Sequence, residues 1–171
     1  MRNPILFLTG FFFLISLHSQ ETESANSNTT EVVPKRIYLT KAVTGTDAPV
    51  IDGTLDDRAW DIVEWTGDYI ENQPDENTPP SYQTKFKIVY DSKNLYIGVR
   101  CYDAEPEKIV KRMSRRDGFE GDWVEFNIDS YHDKRTAFSF TVTAAGVKGD
   151  EFVSNNGNNW DGSWNTIWYT K

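Results

Sequence analysis

A chain of 171 residues with a formal charge of −8 and only two histidines offers little to nucleic acid, to anionic membrane surfaces or to histidine-based chemistry. The length suits one domain of ordinary size, and six tryptophans within an aromatic content of 14% can fill its core without staples. The lone cysteine, Cys101, cannot close an internal disulfide, and its place in an alternating apolar run reads as a small core residue.

Taken in chain order, residues 1–19 read as a secretory signal peptide. Arg2 supplies the positive start, Ile5 to Leu17 the apolar stretch, and Ser19 a small residue at the cleavage point. The apolar stretch is shorter than the ~20 residues of a spanning helix. No cysteine follows it, which argues against a lipoprotein anchor. Export to the periplasm, the outer membrane or the extracellular space is expected. Residues 20–36 are rich in Ser, Thr, Asn and Glu without an apolar period, the composition of a disordered spacer. Asn28-Thr29-Thr30 within it matches a glycosylation sequon, a short and unspecific pattern.

Residues 37–171 form the domain. After the Asp52-Gly53 turn, Leu55 to Val63 predicts a short helix capped by Thr54, with Trp60 turned inward beside Leu55, Ala59 and Val63. Phe86, Ile88 and Tyr90 alternate with Lys85 and Lys87, and Leu95, Ile97, Val99 and Cys101 follow the Asp91-Ser92-Lys93-Asn94 turn. Together they predict a hairpin with the apolar residues on its core face. Glu105 to Met113 predicts a second short helix, with Pro106 at its first position. Val124, Phe126 and Ile128 mark a third strand, and Phe138, Phe140 and Val142 a fourth that ends at Ala145-Gly146. Trp164, Thr166 and Trp168 alternate as the start of a further strand that reaches Lys171, so the sheet system looks cut short there. The fold expected is mainly β, a jelly-roll-like β-sandwich with one or two short helices, truncated at its C-terminus.

Chemistry is sought on the polar faces of these strands. Trp123, Glu125, Asn127 and Asp129 lie opposite the apolar residues of the third strand, and Ser139, Thr141 and Thr143 opposite those of the fourth. On one sheet they would share a surface where an aromatic ring meets a sugar's C–H face and fixed polar groups meet its hydroxyls. The plain alternative is the solvated face of a half-covered sheet. Trp160 stands in an Asn- and Gly-rich stretch from Asn155 to Gly162, read as a flexible loop with one exposed ring. Trp65 can serve either a core or a surface, and His132 reads as a solvated turn residue. Glu120, Asp122, Glu125 and Asp129 would allow an acid–base pair of the glycosidase kind. Asp103, Asp117, Asp122 and Asp129 offer oxygen ligands for calcium, without the EF-hand spacing; no phosphate-binding glycine loop is present either.

Four segments in this order are similar to family 9 carbohydrate-binding modules. They are Pro49-Val50-Ile51-Asp52-Gly53-Thr54-Leu55-Asp56-Asp57 with Trp60, Val89-Tyr90-Asp91 followed by Asn94-Leu95-Tyr96-Ile97-Gly98, Gly121-Asp122-Trp123-Val124-Glu125-Phe126-Asn127-Ile128-Asp129, and Phe138-Ser139-Phe140-Thr141-Val142-Thr143 followed by Gly146-Val147. The resemblance runs from about Pro49 to the end of the chain. It implies a β-sandwich, often with structural calcium, of the kind appended to xylanases, where it binds glucans, xylans and free sugars. The resemblance extends to exported Gram-negative proteins in which such a module precedes an expected outer-membrane barrel.

Carried over by position, the resemblance puts Phe119 where the family stacks a Trp on the sugar, and Glu125 where it bonds hydroxyls. Thr141 and Thr143 stand where it has Arg and Asn, which removes a charge-assisted donor and shortens the reach. Trp160, chosen from its Asn- and Gly-rich setting and not from the resemblance, is a further ring for the ligand. Asp103 and Asp122 match its calcium aspartates. The expected function is non-catalytic carbohydrate binding in support of glucan or xylan degradation, with a polysaccharide or oligosaccharide as partner and more chain following. Two alternatives stand beside it: a structural domain of an outer-membrane protein with a degenerate sugar site, and part of a xylanase-type glycoside hydrolase.

Overall fold

The computed structural model describes residues 36–171; the predicted signal peptide and nearly all of the spacer lie outside the described residues. Among the described residues seven strands make two sheets: β1 (Lys41–Ala42), β2 (Thr84–Tyr90) and β3 (Leu95–Cys101) in one, and β4 (Trp123–Ile128), β5 (Ala137–Thr143), β6 (Lys148–Ser154) and β7 (Asn159–Asp161) in the other, each in that spatial order. The domain is the expected mainly β structure of the sandwich class. All pairings are antiparallel except β1 with β2. Among the described residues no helix is long and apolar enough to cross a membrane.

The turns are where turn chemistry places them. Between β2 and β3, Asp91 Oδ1 accepts the N–H groups of Lys93 and Asn94, both at 2.7 Å, which closes the predicted hairpin. Between β5 and β6 the four-residue loop holds Gly146 at φ 80°, a left-handed position that glycine takes without strain. Between β6 and β7, Asn155, Asn156 and Gly157 all hold positive φ. The Asn- and Gly-rich stretch read as a flexible loop is therefore a tight hairpin, and Trp160 stands on a strand.

The two predicted helices exist only as 3-10 turns, Arg58–Ile62 and Pro106–Lys108. Asp57, not Thr54, occupies the cap position of the first; the Thr54 N–H and hydroxyl are bound instead to Asp52. Trp60 is buried as expected, in a cluster with Ala59, Val63 and Val89, with Leu55 and Tyr96 packed against it. Gly98 lets the cluster close: a side chain there would meet Leu55 at 2.8 Å and the Trp60 ring at 3.3 Å.

This packing makes the unexpected face of the first sheet the more deeply buried one, while Phe86, Ile88, Ile97 and Val99 on the expected face are half-buried. The face carrying Lys87 and Val89 receives Trp60 and is buried; Tyr90, Leu95 and Cys101 on the other face are exposed. Cys101 is thus not a core residue. Lys87 is tolerated inside because its Nζ donates to the Trp60 carbonyl at 2.6 Å and lies 5.0 Å from the Trp65 ring centre. Trp65 also receives Arg100, at 5.2 Å, which settles it as a ring that packs under two cations.

The C-terminal segment does not form the predicted strand. From Trp164 onward the chain has no ladder partner, although alternate residues still turn inward. Trp164 packs on Phe138 with ring centres 4.8 Å apart, and Trp168 edges onto Phe140 at 5.4 Å. The segment is pinned by Asp150, which accepts the Thr166 N–H at 2.6 Å and pairs with Arg116. The alternation was real; its partner is an aromatic face, not a neighbouring backbone.

Candidate functional site

The register of the second sheet decides which predicted residues meet. Glu125 lies opposite Thr141, Trp123 opposite Thr143, and Asn127 opposite Ser139. Across the next ladder Thr141 faces Gly149 and Ser139 faces Glu151, and across the last one Val153 faces Trp160. Paired residues share a face. Glu125, Thr141, Thr143 and Trp160, read from separate parts of the sequence, therefore stand on one side of one sheet.

Phe119 joins them from outside the ladders. The chain from Arg116 to Phe119 runs along the edge of β6, where Asp117 accepts the Asp150 N–H through Oδ1 and donates its own N–H to the Lys148 carbonyl. From that edge Arg116 reaches round to Asp150 on the apolar face, while the Phe119 ring lies over Gly149 on the polar one. Any Cβ at position 149 would run into that ring, so a glycine is required beneath it. Trp123, 53% exposed, stands beside Phe119 with ring centres 6.4 Å apart.

The floor of this face is more deeply buried than a solvated sheet would be. Ser139 and Thr141 are each 1% exposed and Thr143 is 3% exposed. The expectation that the two threonines present their hydroxyls to a ligand is corrected in that sense. Thr143 Oγ1 accepts the Val147 N–H at 3.1 Å and serves its hairpin. Thr141 Oγ1 points to Glu125 Oε2 at 3.5 Å. They shape the floor, and the exposed groups around it are Glu125, Asn127, Trp123 and Trp160. Asn127 Nδ2 donates to Glu125 Oε1 at 2.8 Å and fixes the carboxylate. The Trp160 indole N–H donates to the Gly157 carbonyl at 2.9 Å, so this ring, 45% exposed, is held by its own hairpin.

Beyond Trp160 the face opens into a cleft of about 270 Å³ lined by Asn127, Lys134, Arg135, Val153 and Asn156. Another cleft, of about 280 Å³, lies under the loop around Tyr69, Asn77 and Gln83 and holds none of the predicted residues.

Glu151 is the residue that the sequence pattern did not single out. It is half-buried on the polar face, and burial, then the like charges of Glu125 and Asp117, push its carboxyl above the ordinary range. The signal was present in the alternation of Gly149, Glu151 and Val153 against Asp150 and Phe152, but two adjacent acids hide which one points inward.

The calcium aspartates are not brought together into a carboxylate set. Asp103 Oδ1 accepts the Glu105 N–H at 2.7 Å within its own turn, and Asp122 Oδ2 accepts the Val110 N–H at 2.8 Å from the segment paired with it. Among the described residues no three His, Cys, Asp or Glu side chains are placed to share a metal ion.

Comparison with known proteins adds one finding. The sequence model of the family described as carbohydrate family 9 binding domain-like matches residues 51–167. No curated protein and no solved structure matches the chain.

Proposed function

The chain belongs to the carbohydrate family 9 binding domain-like family, and from that premise we propose that it is the non-catalytic glycan-binding module of an exported protein that supports breakdown of glucans or xylans. Carbohydrate binding is the function the family carries. The polar face of β4 to β7 is the site that best supports it here. The single observation behind this choice is the register that gathers Glu125, Thr141, Thr143 and Trp160 on one face, with Phe119 folded over its edge.

The chemistry follows from the groups that remain exposed. A sugar's C–H face rests on Trp160 or Trp123, and its hydroxyls donate to Glu125 and exchange bonds with Asn127. Affinity electrophoresis on glucans and xylans tests this, comparing the parent with Trp160→Ala and Glu125→Gln. Retardation that weakens in both variants supports the reading; a parent that runs freely on every glycan ends it.

A second reading has an observation of its own. Thr141 and Thr143 are buried short side chains where the resemblance to family 9 modules places longer donors. That favours a structural periplasmic or surface domain with a degenerate sugar site, and the same electrophoresis decides between the two. The glycosidase alternative would rest on Glu125 with Glu151, and hydrolysis of a chromogenic glycoside that vanishes in Glu125→Gln is the result it requires.

A further inference from the structure

The polar face of β4 to β7 is short of donors. Burial, then the nearby like charges of Glu125 and Asp117, push the Glu151 carboxyl above its ordinary range. Arg116, the cation nearest Asp117 at 3.9 Å, gives a terminal nitrogen to Asp150 on the opposite side of the strand. Asn127 donates to one oxygen of Glu125 at 2.8 Å and the Thr141 hydroxyl to the other at 3.5 Å, so among the described residues Glu125 has neutral donors and no cation. Glu151 accepts no hydrogen bond among the described residues.

An independent feature lies beside it. Ser139, directly across the ladder from Glu151 and on the same face, is 1% exposed, and its Oγ has no hydrogen-bond partner. Buried hydroxyls are almost always bonded, and one that is not marks a place where a polar group is missing. A half-buried carboxylate without a donor and a buried hydroxyl without a partner thus stand opposite each other, flanked by a second carboxylate and within the same face as two exposed indoles. What this face lacks is a positive charge that carries several N–H donors.

We propose that the preferred sugar is a protonated amino sugar, a 2-amino-2-deoxyhexose or a polymer of them, with its ammonium group held between Glu125 and Glu151. The proposal rests on the glycan-binding reading and narrows it. An ammonium group brings three donors and the counter-charge; a neutral sugar brings hydroxyl donors alone, and an N-acetylated one brings an amide without charge. Charge-assisted bonds to a partly desolvated carboxylate are roughly twice as strong as neutral ones, enough for about a tenfold preference.

Titration calorimetry at low salt and slightly below neutral pH, with glucosamine, glucose and N-acetylglucosamine as probes, tests it. Glucosamine is expected to bind about tenfold more tightly than the other two. Glu151→Gln should reduce glucosamine affinity more than glucose affinity, while Asp47→Asn, which removes the same charge from a turn beside β1, should leave the preference intact. Circular dichroism of each variant confirms that it is folded. If glucose binds and glucosamine binds no better, or if the preference survives Glu151→Gln, the amino-sugar proposal is overturned and glycan binding stands. If glucosamine alone binds, the proposal holds and the neutral glucan or xylan reading falls. If none of the three binds, both fall.

Discussion

The two faces of the β4–β7 sheet bury acidic residues in opposite ways. Asp150 and Glu151 are neighbours in sequence and so point to opposite sides. On the apolar side Asp150 is fully buried, and it is answered by Arg116 and by the Thr166 N–H. On the polar side Glu151 is half-buried beside two like charges and is answered by nothing among the described residues. A buried charge with its partners in place is scaffold: it pins the C-terminal segment over Phe138 and Phe140. A partly buried charge without partners is a cost to the fold, and its place on a face lined with exposed indoles supports the proposed binding surface.

The comparison can be broken at either face. The largest effect is expected from Asp150→Ala, which strands Arg116 and releases Thr166; unfolding in urea should show a loss of about 3 kcal/mol. Trp168→Ala removes a half-buried ring from Phe140, and about 2 kcal/mol should be lost in the same experiment. Both belong to the scaffold face, so sugar affinity measured on the folded fraction should change little.

Glu151→Gln should act in the other direction. A carboxyl whose folded-state pKa is raised holds its proton more tightly in the folded state. The parent therefore loses stability as pH rises through and beyond the ordinary glutamate range. The glutamine variant lacks that loss: its Tm should match the parent's in acid and exceed it at neutral pH. A lower Tm at neutral pH would mean that Glu151 has a stabilising partner and would remove the contrast between the faces.

The smallest effect is expected away from this sheet. Asp91 is held down to about 2, first by the N–H groups of Lys93 and Asn94 and then by the Tyr96 hydroxyl. Its contribution is present above the ordinary aspartate range and is lost as pH falls towards about 2. Asp91→Asn should lower Tm slightly at neutral pH and flatten that acid limb, without touching sugar binding.

Much of the strand content was legible because period-two alternation is a local property. The hairpin around Asp91 and the strands at Val124–Ile128 and Phe138–Val142 follow from it directly; that these two strands pair is a finding of the structure. Trp60 was legible as core because it shares a helical spacing with Ala59 and Val63. Lys87 was misread because a lysine inside a strand normally marks the solvent side, and only the Trp60 carbonyl and the Trp65 ring make its burial affordable. The strand Lys148–Ser154 was missed because Lys, Gly, Asp and Glu mask its alternation, and Glu151 was missed with it. Trp160 was read as a ring exposed to ligand, and exposed it is, but on a strand whose hairpin is closed by left-handed Asn and Gly residues.

By itself the sequence determined which residues share a face. Successive side chains in a strand point to opposite sides, and that alternation put Glu125 with Asn127, and Ser139 with Thr141 and Thr143, before any coordinates were known. It also carried the family. What only the tertiary structure decided is which face is covered and by what. Covering depends on segments far away in the chain: Trp60 over one sheet, Trp164 and Trp168 over the aromatic side of the other, and Phe119 over Gly149 on its polar side. No local pattern encodes those contacts, because each is a competition between distant segments for the same surface.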